Sequence, residues 1–279
     1  MLVKPLTSLS ELFGITKHYA MCYDIQTTLE AQLKRAKRLN DPKAIADITE
    51  KLKPYTSAQY HAPGFAHPKV LIYNNLEPQV PKPAVWGLIP SWIGSEEEKA
   101  KLWNNTLNAK GESIFEKPSF RDSAKKMRCL VPVLAFFEHH HKGSKSFPHR
   151  IFRKDGEPLM LAGLWSEWVN KSSGEIVESF SIVTTRGNSL MEGIHNNPKM
   201  DGARMPVILD EKDEETWLNT EDHPSLDKEI ENLLKPYPSE KLEAFPVAKL
   251  RGKEAVGNSE ELLKRKYYPE LEEIQGSLF

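Results

Sequence analysis

The sequence predicts an α+β domain with strands in the middle of the chain and helices towards both ends. Three observations carry that expectation. Apolar runs punctuated by glycine and proline crowd residues 129–209, the pattern of successive strands. Apolar residues at helical spacing appear instead around residues 29–52 and again from about residue 217. No repeat, low-complexity linker or clear boundary divides the 279 residues, of which 39% are hydrophobic, enough to fill one large core.

Taken in order, Thr27-Thr28-Leu29-Glu30 reads as a capping box opening a helix whose apolar face is Leu29, Leu33 and Ala36. Asp41-Pro42 supplies an N-cap and a first-turn proline for a second helix through about Leu52, which Pro54 ends. Residues 55–69, rich in Pro, Gly and His, read as loop, and Val70 to Tyr73 as a short strand. Residues 81–94 (PKPAVWGLIPSWIG) set Trp86 and Trp92 among Gly87, Pro90 and Gly94, punctuation that breaks regular structure and leaves aromatic faces near a surface. Glu96 to Trp103 reads as a short charged helix, Asn108 to Ser113 as a polar loop, and Phe120-Arg121 leads into a basic segment with Lys125, Lys126 and Arg128. Residues 129–138 (CLVPVLAFFE) read as one buried strand ending in a carboxylate. Ile151-Phe152, Leu159 to Trp168, Phe180 to Thr185 and Met205 to Leu209 are further strands. The C-terminal third is expected to be mostly helical. One helix carries Trp217 and Leu218, another is lined by Leu226, Ile230, Leu233 and Leu234, and a last one is capped by Asn258-Ser259 with Glu260 and Glu261 in its first turn. Phe245 to Val247 returns as a strand.

Charge and cysteine content narrow the function classes. The formal net charge is -1, from 38 basic and 39 acidic side chains. A global attraction to nucleic acid is therefore excluded, and an anionic ligand must be met by a local basic patch. Two cysteines, Cys22 and Cys129, make no disulfide framework, which points to a reducing cytoplasm. No apolar run approaches the roughly eighteen residues that span a bilayer. Residues 1–20 carry only Lys4 and Lys17 around a short apolar stretch and do not form a signal peptide. Residues 1–21 are read as an extension, removed or lying upstream of the true start, and 22–279 as the domain.

Three side chains invite chemistry. Met21-Cys22 changes meaning if Met21 begins the working chain, because its removal leaves Cys22 with a free α-amine beside its thiol. Such an aminothiol closes a five-membered thiazolidine on one aldehyde carbon. The amine titrates near ~8 and the thiol near ~8.5, so a modest fraction of each is reactive at neutral pH. Glu138, beside Phe136 and Phe137, is expected to be partly desolvated, with a raised pKa suited to passing protons. His195 is the side-chain type best poised for proton exchange near neutrality. The run His139 to His141 does not suit one metal, because adjacent strand residues point to opposite faces. Neither a metal nor a cofactor is expected.

Seven landmarks recur in one order: MCYDI, WGLIPSW, NAKGES, SFRD, RCLVPVLAFFE, IHN and ARMPVIL. This series resembles the SRAP family of abasic-site processing proteins, from Met21 to about Leu209. The resemblance implies a central, largely antiparallel sheet with a barrel-like core flanked by helices. It implies capture of abasic sites in single-stranded DNA during the DNA damage response, with autopeptidase and lyase-like side activities, by a cytoplasmic monomer that associates with the nucleoid when bound to DNA. It makes Cys22 the nucleophile, Glu138 and His195 its proton-transfer partners, and Asn108 a contact to the abasic sugar. Lys110, Arg121, Arg128 and Arg204 are then expected on phosphates, and Trp86, Trp92 and Phe120 against bases. The chain departs from the family pattern in three places. His139 stands where tryptophan commonly follows the glutamate, Lys110 stands for arginine, and the NNPKMDGA spacer after His195 is longer. Two other readings stay open: a noncovalent binder of single-stranded or junction DNA if residues 1–21 are retained, and a hydrolase using Cys22, His195 and Glu138.

Overall fold

In chain order the strands are β1 (Asp24–Thr27), β2 (Gln59–Pro63), β3 (Lys69–Asn74), β4 (Lys82–Trp86), β5 (Asn108–Lys110), β6 (Arg128–Val133), β7 (Ala135–Lys142), β8 (Lys145–Arg153), β9 (Leu159–Val169), β10 (Ile176–Arg186), β11 (Arg204–Pro206), β12 (Ile208–Leu209) and β13 (Leu242–Pro246). The helices are α1 (Leu29–Arg38), α2 (Pro42–Lys51), α3 (Glu96–Leu102), α4 (Arg121–Lys126), α5 (Ser189–Ile194), α6 (Glu211–Leu218), α7 (Leu226–Leu233) and α8 (Pro269–Glu272). This computed structural model describes residues 23–39, 42–51, 58–198, 200–221 and 225–272. Cys22 and residues 1–21 lie outside the described residues. None of the described helices is long and apolar enough to cross a membrane.

Five strands close on themselves. β4 pairs antiparallel with β3, β3 with β6, β6 with β9 and β9 with β10. A short parallel pairing of β10 with β4, Ser179 to Val85 and Phe180 to Trp86, completes the circuit. Closure removes the unpaired edges that an open sheet would present. Period-two alternation decides what each face buries. On β6, Cys129, Val131 and Val133 join Ile72, Leu161 and Phe180 in one cluster, while Leu130 packs with Leu164, Trp217 and Ile230 towards α6 and α7. Both faces are covered, which is why the segment reads as a continuous apolar run rather than an alternating one.

At their far ends β9 and β10 part, and the 204–209 segment fills the gap. Val207 N–H donates to Val183 O at 2.8 Å, and Ala162 N–H donates to Val207 O at 2.9 Å. A second, antiparallel sheet runs β13-β8-β7-β1-β2. The step between the sheets is Leu134, whose N–H donates to Gln26 O at 2.9 Å. The single strand expected over residues 129–138 is therefore two strands, one in each sheet, and β7 carries the histidine run onward to Lys142.

Other local expectations are corrected. Residues 59–63 of the expected loop form β2, because β1 offers them a pairing edge. The helix at Leu29 begins where the sequence places it, yet Thr28 makes no side-chain cap bond. The last expected helix is a single 3-10 turn, Glu260–Leu263, capped by Ser259 accepting from Glu261 N–H, and the chain is extended again at Lys264. Residues 247–268 are thus mainly an irregular arm laid over the second sheet, not helix.

Trp86 and Arg128, both expected on DNA, belong to the interior. Trp86 is wholly buried, its Nε1–H donates to Leu107 O at 2.8 Å, and Gly64 lies so close beneath it that a Cβ there would meet the ring at 3.3 Å. A tryptophan so enclosed has no face to offer a base. Arg128 is wholly buried too. Its guanidinium donates to Ala124 O at 2.5 Å and Lys125 O at 3.3 Å at the end of α4, to Trp217 O at 2.6 Å, and to Asn219 O just past α6. It caps two helix C-termini at once, satisfying carbonyls that the helices leave without partners and complementing both dipoles. Arg128→Met is expected to lower stability by about 3 kcal/mol, the cost of leaving several buried carbonyls unsatisfied. A urea midpoint lowered at unchanged m-value checks this.

Candidate active site

The second sheet carries Glu138, and the segment after α5 brings His195 to it. β1 lies beside β7 with Asp24 opposite Phe137, which sets Glu138 on the strand next to the start of β1. Tyr23 is held by a loop contact, Gly64 N–H donating to its carbonyl at 2.6 Å. α5 approaches the same strand from the barrel side. Asn188 starts it by accepting from Met191 N–H at 3.0 Å, and its amide donates to Tyr237 O at 2.7 Å. Just past the end of α5, Asn196 imitates a strand partner. Its Oδ1 accepts from His141 N–H at 2.6 Å and its Nδ2 donates to His141 O at 2.9 Å. Pinning the loop to β7 in this way brings His195 onto Glu138.

Glu138 Oε2 lies 3.3 Å from His195 Nδ1, and Glu138 Oε1 accepts the His139 N–H at 2.8 Å. Both side chains are buried. Burial, reinforced by the nearby Asp24 carboxylate, pushes the Glu138 carboxyl up to about 8. Burial also lowers the His195 imidazole below its ordinary value. At neutral pH the favoured pair is a carboxylic acid beside an uncharged imidazole, with one proton to share between them. Burial pushes the Tyr23 phenol up to about 12, with the Glu138 carboxylate adding to it, and burial brings His139 down to about 4. The pair opens on a cavity of about 350 Å³ lined also by Tyr23, Asp24, Phe65, His139, His141, Lys249 and Arg251.

The structure joins Glu138 to His195 and ties a second group of predicted residues to them through the backbone. β5, with Asn108 and Lys110, runs parallel to β10 at Ile182 to Thr184, and β11 pairs with Thr184 to Arg186. Arg204 N–H and C=O sit 3.5 and 3.4 Å from His195 Nδ1. The Arg204 side chain forks onto Glu112 at 3.0 and 2.8 Å and donates to Thr184 O. Glu112 thus holds its loop and occupies the guanidinium expected on phosphate. Asn108 is buried, whereas Lys110 is exposed. Phe120 is 5% exposed in the outer apolar cluster, so it too is corrected from a base contact to a core residue. Trp92 is 55% exposed, and its Nε1–H reaches Pro118 O at 3.4 Å, beside the loop that leads to the exposed Arg121. Trp92, Lys110 and Arg121 keep surface to offer a strand, but none of them lines the cavity.

Sequence reasoning passed over Asp24, His61 and Arg251. The Asp24 carboxylate is buried and accepts from His61 Nε2–H at 2.7 Å and from Arg251 Nη2–H at 2.7 and 2.8 Å. A buried carboxylate needs such partners, so an aspartate in an apolar strand start was itself a signal. Nothing local names a partner 227 residues away.

Together the fold and site define a class: an α+β protein on a closed five-stranded barrel, with a carboxylic acid–imidazole pair set in a cavity on the adjoining sheet. The chain belongs to the SRAP (SOS response associated peptidase) family, whose model matches residues 21–254. It is 36% identical over 167 residues to the abasic site processing protein YoqW of Bacillus subtilis, covering 59% of this chain and 68% of that one. It is 35% identical over 179 residues to the abasic site processing protein YoaM of the same organism, covering 64% and 72%. A crystal structure of a Bacteroides thetaiotaomicron protein, 33% identical, superposes with a TM-score of 0.75 over 88% of this chain and all of that one. A Bordetella bronchiseptica protein at 24% identity and a TM-score of 0.63 shares the fold.

Proposed function

We propose that this protein captures abasic sites in single-stranded DNA by a covalent bond from Cys22. The observation that carries the reading is the Glu138–His195 contact in a cavity whose wall includes Tyr23, the residue directly after Cys22. Cys22 is joined directly to Tyr23 in the chain, which supports a reaction at its amine and thiol beside that pair. The names of the similar Bacillus proteins supply the substrate class.

The chemistry runs in balanced steps. The Cys22 amine adds to the aldehyde of the ring-opened sugar, giving a carbinolamine. Loss of its hydroxyl as water leaves a Schiff base, and the thiol then adds to that carbon to close a thiazolidine. Glu138 carries a proton at neutral pH because of its burial, which favours it as the acid that protonates the departing hydroxyl rather than as the base that frees the amine. His195 relays that proton, accepting at Nδ1 from Glu138. The same pair serves reversal, by microscopic reversibility. The route needs the α-amine of Cys22 unblocked, so residues 1–21 must be removed or never joined to the working chain.

Intact-mass analysis of the purified protein and of its product with an abasic oligonucleotide tests this. The expected protein mass is that of residues 22–279, and the expected adduct is protein plus DNA less one water. An adduct formed by protein that still carries residues 1–21 overturns the proposal.

A further inference from the structure

The cavity holds a cation whose role the catalytic pair does not explain. Arg251 comes from the C-terminal arm and is about half exposed, at 49%. Only one of its nitrogens is committed: Nη2 donates to both oxygens of Asp24. Among the described residues Nε and Nη1 make no hydrogen bond. The anchor is rigid, since Asp24 is 3% exposed, lies on β1 and also accepts from His61 at Oδ1. Lys249 also lines the cavity, but its ammonium donates to Ser146 O at 2.5 Å and lies over the rings of Phe147 and Tyr268 at 4.7 and 5.0 Å. Lys249 keeps N–H groups beyond that bond and His141 Nδ1 makes no hydrogen bond among the described residues, but of the lining groups Arg251 is the one that offers a planar fork of uncommitted donors. A planar guanidinium held by one corner, with its other N–H groups directed away from the clamp, suits a tetrahedral oxyanion. A structural tie for the arm would not require the side chain to stand at the rim of the cavity.

We propose that Arg251 is the phosphate-binding residue of this cavity, gripping one backbone phosphate next to the abasic sugar. The inference rests on the functional reading above. Its clamp, Asp24, lies two residues after Cys22 and opposite the residue before Glu138. A phosphate fixed there brings the adjoining sugar to the nucleophile, and such placement is what converts encounter into reaction. Strand charge then enters a cavity that already contains two carboxyls, Asp24 and Glu138, with Arg251 offsetting the repulsion.

The test uses a Cys22→Ser parent, so that binding is read without capture, and single strands bearing a tetrahydrofuran abasic analogue. Each strand in a series carries one neutral methylphosphonate linkage. Fluorescence anisotropy of the parent is expected to show roughly tenfold weaker binding when the linkage beside the analogue is neutralised. Adding Arg251→Gln is expected to weaken binding to the unmodified strand by a similar factor, lower the salt slope by about 0.7, and abolish sensitivity at that one linkage only. Arg251→Lys, which keeps the charge beside Asp24, is expected to fold with the parent's melting temperature and to retain only part of the sensitivity. Arg251→Gln and Arg251→Lys proteins that keep the parent's full sensitivity at every linkage overturn the assignment and leave the functional reading standing. A parent that binds no abasic strand removes both.

Discussion

Cys22→Ser protein, mixed with abasic single-stranded DNA, is expected to give no product that survives denaturing electrophoresis, whereas Cys129→Ser gives the yield of the unsubstituted protein. A serine at the first position keeps the α-amine, so a Schiff base still forms. Its hydroxyl is far less acidic than a thiol and does not trap the imine, which hydrolyses back when the protein unfolds. Borohydride reduction before denaturation is therefore expected to rescue a crosslink in Cys22→Ser and to fail when the amine is acetylated. That pattern separates the contribution of nitrogen from that of sulfur. Cys129 supplies the control because it is wholly buried in the barrel, with burial holding its thiol well above the ordinary value, so it supplies no thiolate. A denaturant-stable product from Cys22→Ser without reduction sinks the thiazolidine account.

What the sequence revealed and what it hid divide along a physical line. The desolvation of Glu138 was legible because Phe136 and Phe137 precede it on a strand, whereas His195 was singled out by its side-chain type and by the ordered series of motifs, not by its own surroundings. Trp86 and Trp92 share one punctuated stretch and have opposite fates. Trp86 is the last residue of β4 and turns into the barrel, while Trp92 falls in the turn beyond and stays at 55% exposure. Six residues of sequence do not reveal where a strand ends. Arg128 was misread for a deeper reason. A basic residue after a basic run looks the same whether it meets phosphate or the carbonyls of two helix ends, and one of those ends, at Trp217 and Asn219, is some ninety residues away. The Asp24–Arg251 clamp was hidden in the same way. Local pattern gives the apolar run of β6 and the start of α1. It does not give partners that only barrel closure and the returning C-terminal arm bring together.

Glu138→Gln is expected to slow capture by about 100-fold or more, within the range usual for loss of a positioned acid–base group, while leaving noncovalent binding to a tetrahydrofuran strand intact. The pH profiles carry the argument further. Capture by the unsubstituted protein needs an uncharged amine, which forms as pH rises towards ~8, and a protonated Glu138, which is lost as pH passes about 8. The two requirements oppose, so the rate rises and then falls with pH, and the glutamine variant loses the descending limb. Stability gives an independent readout of the same carboxyl. Its folded-state pKa, about 8, stands above the ordinary 4.5, so the native state holds a proton that the unfolded chain gives up across that window. The contribution is present below pH 4.5 and is lost as pH rises to about 8, at up to about 1.4 kcal/mol per unit. His139, lowered from 6.5 to about 4, works the other way: its contribution is present above 6.5 and is lost as pH falls. His141, His149 and His195, also held below their ordinary value by burial, act in the same sense as His139 and still contribute just above 6.5. Measured against Glu138→Gln, which carries the same histidines, the urea midpoint of the unsubstituted protein is therefore expected to fall between pH 6.5 and 8. A midpoint difference that holds or rises across that interval shows the carboxyl to be ionised at neutral pH, and the acid in the capture step must then be sought elsewhere.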